Sequence, residues 1–147
     1  MITLHTLTRA DFDDWNLLWQ AYLVFYKSQL SDEVTRTAFA RMTDVTEPMG
    51  GFLARNSSGQ EVGMVNWIDH RSNWSIENKC YLQDLYVSEA GRGLGTGRAL
   101  IEAVSGAARA RGCARVYWQT HETNKTAMLL YDRIAIKSGF LVYDMEI

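Results

Sequence analysis

The chain contains one proline, two cysteines and three histidines among 147 residues. Each scarcity closes a class of explanation. The single proline, Pro48, sits beside Gly50 and Gly51 and marks a turn, not a linker between domains. Cys80 and Cys113 have no C-x-x-C spacing. With His5, His70 and His121 they make no zinc pattern, so no bound metal is expected. The N-terminal residues Met-Ile-Thr-Leu-His-Thr-Leu alternate like a strand and lack the basic and apolar regions of a secretory leader. Both thiols are therefore expected to be reduced in a cytoplasmic protein. No apolar stretch approaches the roughly 20 residues of a membrane span. The formal net charge is −2, so no overall basic field would hold nucleic acid or an anionic membrane.

What is present suits one globular domain over residues 1–147. Hydrophobic residues make up 47% and charged residues 22%, enough apolar material for a single core. Ile2–Leu7 reads as a first strand. Thr8 then looks like a helix N-cap with Asp11 three residues on. Phe12, Trp15, Trp19, Tyr22 and Tyr26 follow at helical spacing as an aromatic face, which is ordinarily core and in part could wall a pocket. Ser31 or Asp32 would cap a second helix ending near Met42 or Asp44. Gly51–Arg55 and Gln60–Ile68 flank Asn56-Ser57-Ser58-Gly59 and predict a hairpin. Lys79–Val87 is nearly continuous in apolar and aromatic residues, as in a central strand. Beyond a glycine-rich turn, a helix is expected from Thr96 to near Gly112 and a strand over Arg115–Thr120. A helix capped by Thr123 or Asn124 should then reach about Arg133. Gly139 closes the connection, and Phe140–Ile147 reads as a last strand.

The segment Leu85-Tyr86-Val87-Ser88-Glu89-Ala90-Gly91-Arg92-Gly93-Leu94-Gly95-Thr96-Gly97-Arg98 carries the most chemistry. Glycines between strand and helix let a backbone approach a ligand without Cβ interference. Free amides at the helix start, with the helix dipole, attract phosphate, and Arg92 and Arg98 add charge. A P-loop would need Gly-Lys-Ser or Gly-Lys-Thr, which is absent. A dinucleotide fingerprint needs glycines at relative positions 1, 3 and 6, and no starting glycine satisfies that spacing.

The segment does contain Arg-x-x-Gly-x-Gly, as Arg92, Gly95 and Gly97, between a strand and an amphipathic helix. Downstream, Asn124, Ala127 and Tyr131 form Asn-x-x-Ala-x-x-x-Tyr. In both motifs and in element order the chain resembles the GNAT superfamily of N-acetyltransferases. The runs Cys80–Val87 and Val116–Asn124 resemble its histone/polyamine-acetyltransferase branch, and more loosely the diamine N-acetyltransferases. The resemblance implies an α+β fold: a mixed, mostly antiparallel sheet of six or so strands with about four helices. It implies acetyl-CoA as cofactor, with pyrophosphate on Arg92, Gly93, Leu94, Gly95, Thr96, Gly97 and Arg98. It further implies a pantetheine arm along Leu85, Tyr86 and Val87 and against Asn124.

Acetyl transfer to an amine makes three demands. An alkylammonium, with a pKa of about 10.4, must lose a proton. The oxyanion needs a donor. The leaving thiolate benefits from an acid. The resemblance implies that a bulged strand supplies the donor, a backbone N–H in the stretch Leu85–Val87 with Leu85 preferred, and that Tyr131 is the acid. The base is open. Relatives often carry Glu-Asp where this chain has Gln83-Asp84, and glutamine accepts no proton. Asp84 remains, and strand alternation would place it on the face opposite Gln83. It is the candidate base, water-relayed base or ammonium anchor, or simply part of a buried network. His121 and Glu122 are alternatives, although a histidine at a strand end is usually structural. Tyr26, Trp67, Gln83, Asp84 and His121 are the candidate acceptor contacts, with Trp19, Trp74, Asp69 and Glu77 as further possibilities.

The expected activity is acetylation of a small cationic, polyamine-like or lysine-like primary amine. The competing readings are an acyl-CoA sensor without turnover and acetylation of a protein or peptide amine. Because the chain stops soon after Phe140–Ile147, a sheet edge needing cover is expected, and with it a homodimer.

Overall fold

The computed structural model describes residues 1–147. Five strands form one sheet in the order β1 (Thr3–Thr6), β2 (Met49–Arg55), β3 (Glu61–His70), β4 (Lys79–Val87) and β5 (Arg115–Tyr117). The first three pairings are antiparallel and β4–β5 is parallel. Four helices accompany it: α1 (Phe12–Phe25), α2 (Asp32–Met42), α3 (Thr96–Ala110) and α4 (Lys125–Ile134).

Local sequence explains most boundaries. The Thr8 amide donates to Asp11 Oδ2 at 2.7 Å, closing the expected capping box around a short 3₁₀ turn that leads into α1. Ser31 Oγ accepts from the Val34 amide and starts α2. Asn56 Oδ1 accepts from the amides of Ser58 and Gln60, and Gly59 takes a φ of 81°, which turns the β2–β3 hairpin. Helix α3 ends in a Schellman motif. The Cys113 amide bonds the Ala108 carbonyl, the Gly112 amide bonds that of Arg109, and Gly112 supplies a φ of 82°.

Alternation along β2 and β3 sends side chains into two cores. Leu53 and Met64 face α1 and α2, where they join Trp15, Leu18, Trp19, Leu23, Phe39 and Met42. Ala54 and Val65 face α3 and pack with Leu82, Leu100, Ile101, Val104 and Ala108. Most of the aromatic stripe of α1 is thus core: Trp15 and Trp19 are buried and stacked at 5.2 Å.

Two expectations are corrected. The sheet has five strands rather than six, because Phe140–Ile147 forms no strand and is exposed throughout. The strand expected over Arg115–Thr120 stops at Tyr117. No helix is long and apolar enough to cross a membrane.

Candidate active site

The site lies where β4 parts from β5. Only Lys79, Cys80 and Tyr81 pair with β5, so the outer edge of β4 from Leu82 onward has no strand beside it. On the inner edge, the Ser88 amide donates to the Val62 carbonyl at 2.8 Å. Because antiparallel bonding alternates, the amides of Tyr86 and Asp84 also face β3. Those of Val87 and Leu85 face the open edge. The Leu85 N–H expected to meet a carbonyl oxygen therefore points into open space beside the sheet.

Beyond Val87 the chain makes a short 3₁₀ turn, Glu89–Gly91, and enters the glycine loop. Gly91 is pressed against β3, where a Cβ would sit 2.8 Å from the Val62 carbonyl oxygen. Gly93 and Gly95 both hold a φ of 74°, a left-handed conformation costly for other residues, and a Cβ on either would meet nothing within 4 Å. Thr96 is buried and its hydroxyl donates to the Gly91 carbonyl at 2.7 Å, pinning the loop to α3. None of the six consecutive amides from Gly93 to Arg98 donates to a backbone or side-chain acceptor of the protein. Together with the positive end of the α3 dipole they form an anion cradle. Arg92 makes no ion pair, whereas Arg98 is paired with Glu102 at 2.8 Å on the exposed surface of α3.

Helix α4 approaches this cradle through Leu130, whose Cδ2 lies at ordinary contact distance, 3.4 Å, from where a Cβ on Gly97 would sit. The next residue, Tyr131, stands edge-on to Trp118 at 5.5 Å. Burial, with a smaller contribution from Tyr26, pushes its phenol up to about 12. It therefore keeps its proton at neutral pH. Asn124 is the N-cap residue, but its side chain makes no capping bond and donates instead to Thr120 Oγ1 at 3.4 Å.

Strand β4 carries one residue more than β3. Asn66 is opposite Asp84 and Trp67 is opposite Leu82, which leaves Gln83 without a partner. This β-bulge breaks the alternation on which an opposed Gln83 and Asp84 depended. Leu82, Leu85 and Val87 all pack on the α3 side, while Tyr86 packs on the α1 side. Asp84 shares the α1 side with Tyr22. Asn66 Nδ2 donates to Asp84 Oδ2 at 3.1 Å, and Asn66 Oδ1 accepts from Trp15 Nε1 at 3.1 Å. Burial raises the Asp84 pKa, and hydrogen bonding from Asn66 and Tyr22 pulls it partly back. The Tyr22 phenol is raised by burial and by the Asp84 charge. Tyr81 is raised by burial, then by Asp84 and Tyr117. A carboxylate thus sits among phenols beside the open edge of β4. Tyr26 packs edge-on to Tyr22 at 5.0 Å and influences Tyr131, which links this box to the acid candidate.

The profile of the acetyltransferase (GNAT) family matches residues 12–135. The chain belongs to the GNAT acetyltransferase family. It is similar to the D-amino-acid N-acetyltransferase HPA3 of Saccharomyces cerevisiae, 37% identical over 97% of this chain and 89% of that protein. It is also 26% identical to the thialysine N-epsilon-acetyltransferase of Caenorhabditis elegans over 72% of this chain and 66% of that one. Among solved structures, an aminoglycoside acetyltransferase AAC(6')-Iy in complex with a CoA bisubstrate analogue superposes with a TM-score of 0.85. It shares 13% identity over 99% of this chain and 98% of that one. At that identity the likeness is one of fold. This GNAT domain is accordingly an N-acetyltransferase that uses acetyl-CoA.

The acceptor contacts expected of this GNAT domain divide. Asp84, Tyr26 and the exposed Gln83 lie at the box. Trp67 does not offer a ring to a ligand cation: the Arg111 guanidinium already lies 3.7 Å over it. Asp69 is unavailable for the same reason, since Arg111 bonds both its oxygens at 2.7 and 3.0 Å. His121 uses Nδ1 locally, 2.7 Å from the Thr123 hydroxyl and accepting from the Thr123 amide. Trp19 is buried with its indole N–H on Thr35, and Trp74 lies exposed. The sequence reading missed Asn66, although a lone amide in the apolar run Val62–Ile68 was a visible signal. It named Tyr22 only as part of a helical stripe.

Proposed function

We propose that this protein acetylates the primary amine of a small cationic acceptor by direct transfer, with Asp84 receiving the ammonium. The observation that carries the proposal is the half-buried Asp84 carboxylate held by Asn66 beside Tyr22, at the open edge of β4. A half-buried acid with a raised pKa both attracts a cation and accepts a proton more readily than a fully exposed one. Tyr26 and the faces of Tyr22 and Tyr81 not stacked on Trp19 and Tyr117 would supply aromatic surface to a cation. The two curated relatives, one acting on D-amino acids and one on thialysine, support an amine acceptor of this size.

The residues around the cradle fit the donor. The amides of Gly93 to Arg98, with Arg92, would hold its pyrophosphate, and the outward amide of Val87 would pair with its amide-bearing arm. Acetyl-CoA supplies an activated acetyl thioester when bound. The Leu85 N–H is oriented to stabilise negative charge developing on a carbonyl oxygen. Asp84 takes the proton of the acceptor ammonium, directly or through a water molecule. Tyr131 holds a proton at its hydroxyl and donates it toward sulfur. Asn124 is placed to bond the same arm once its Thr120 contact is exchanged.

We further propose that the protein acts as a homodimer in a reducing compartment, which suits the unpaired Cys80 and Cys113. The experiment is a panel of acceptors incubated with purified protein and acetyl-CoA, with products read by mass spectrometry. Diamines, lysine-like amines and D-amino acids should gain one acetyl group. Acetyl-CoA binding without turnover on any of them would show a sensor. Turnover on peptides alone would overturn the small-acceptor reading.

A further inference from the structure

We infer that His70 is a positioning residue for the acceptor amine: through Tyr117 it holds Tyr81, and with it one aromatic wall of the acceptor site. This rests on Asp84 as the acceptor's anchor and extends that reading to a residue that touches no reactant.

Three strands contribute. Tyr81 and Tyr117 are register partners on β4 and β5, and they are the last pair before the two strands part. Their rings therefore stand at the apex of the fork around which the active site is built. Cys80, Leu82 and Val116 pack on the α3 side, so alternation puts Tyr81 and Tyr117 on the opposite face, which Asp84 shares with Tyr22. The two rings are stacked, with centroids 5.0 Å apart and planes inclined by 18°. The Tyr81 phenol is raised by burial and then by the Asp84 charge, which puts this ring beside the carboxylate. Tyr117 backs one of its faces, and the other is left to a cation drawn to Asp84.

His70 supplies what the three-residue strand β5 lacks. Its Nδ1 lies 2.7 Å from the Arg71 carbonyl oxygen, which can only accept, so Nδ1 carries the ring proton. Nε2 then presents a lone pair, and the Tyr117 hydroxyl donates to it at 2.8 Å. The imidazole also meets the Tyr117 ring edge-on, at 5.7 Å and 85°. A backbone carbonyl next to β3 thus sets the tautomer, the tautomer sets the bond to Tyr117, and Tyr117 sets the plane of Tyr81. The Tyr81 hydroxyl has only a longer contact, 3.4 Å to Gln119 Oε1, so its ring depends on the stack for orientation.

Exposure separates this role from a purely structural one. His70 is exposed, and a hydrogen bond open to water adds little to folding. Losing it should leave the fold nearly as stable and the donor site intact, while the aromatic wall turns away from the acceptor.

The test uses the full chain and an amine that the wild type acetylates. His70→Ala should raise the KM for that amine about fivefold, the equivalent of one ordinary hydrogen bond. Its kcat and its KM for acetyl-CoA should stay within about twofold of wild type. His70→Gln, whose amide can accept from Tyr117 and donate to the Arg71 carbonyl, should recover most of the loss. Tyr117→Phe should reproduce His70→Ala, and the double variant should be no worse than either single one. ¹⁵N spectra of the wild-type imidazole should place the proton of its neutral form on Nδ1, and thermal melting should show every variant folded. An amine KM unchanged in either single variant, losses that add in the double variant, no recovery in His70→Gln, or a proton on Nε2 would each overturn the inference and leave Asp84 as anchor untouched. A wild type that acetylates no amine would overturn the reading of Asp84, and this inference with it.

Discussion

Asn66 and Asp84 stand opposite each other on β3 and β4, joined at 3.1 Å, at the last regular pair before Gln83 bulges out of the ladder. The amide uses one end to hold the carboxylate and the other to accept from Trp15 in the core. The carboxylate is thus tied through Asn66 to the buried indole of Trp15. A single extra residue in one strand turns Asp84 toward the α1 phenols instead of toward α3.

Replacing Asp84 with asparagine removes the proposed proton acceptor while keeping the shape. The kcat/KM for amines should fall about 100-fold, and the acidic limb of the wild-type profile, which lies above the ordinary carboxylate range, should vanish. Stability should respond in the opposite direction. The folded form binds the Asp84 proton more tightly than the unfolded chain does, because burial raises its pKa. This residue therefore favours the fold at low pH, and that contribution is lost as pH rises from the ordinary carboxylate range through the raised value. Urea midpoints of wild type and Asp84→Asn, compared from about pH 4 to about pH 8, should show the variant gaining relative stability as pH rises.

Asn66→Ala leaves the Trp15 indole N–H buried without an acceptor. The cost should be about 1–3 kcal/mol by denaturant unfolding. Loss of the amide donor also leaves Asp84 with less support for its charge, so the acidic limb should move further upward. A variant that loses stability with an unchanged profile would separate the amide from the chemistry.

Gly95→Ala forces a side chain into a backbone with a φ of 74°. A strain of about 1–2 kcal/mol is expected, and the new methyl group projects beside unbonded amides. The KM for acetyl-CoA should rise with little change in the acceptor's KM. Equal effects on both would argue against the cradle.

Tyr131→Phe keeps the packing against Trp118 and deletes the proton. A fall in kcat of about 100-fold, with acetyl-CoA affinity preserved in calorimetry, is the expected result.

Arg111→Ala strands the buried Asp69 carboxylate and uncovers Trp67. Because the guanidinium is itself partly exposed, the loss should be about 2 kcal/mol rather than the larger value of a fully buried pair. Thermal melting should show a drop of roughly 4–8 °C, and the KM for the amine should not move.

Much of this was legible beforehand because it is written locally. The bounds of β4, the start of α3 and the turn at Gly59 follow from neighbouring residues. Gly93 and Gly95 occupy left-handed positions that only their immediate surroundings demand. The resemblance implied a bulged strand, but that Gln83 is the extra residue was not legible, because an extra residue exists only relative to the register of another strand. Trp67 and Asp69 looked available because Arg111, which occupies both, lies more than forty positions downstream. The final strand was misread for a related reason: alternation over Phe140–Ile147 suits a sheet, whereas pairing needs a partner edge that the local sequence does not name.

The surroundings of the two thiols have a practical consequence. Burial, aided by Asp69, lifts Cys80 to about 12, and Cys113 is raised as well. Almost none of either is thiolate at neutral pH, and the thiolate is the species that attacks disulfide reagents. The folded enzyme should therefore be nearly silent toward DTNB, so that a colorimetric time course registers released coenzyme A and not the catalyst.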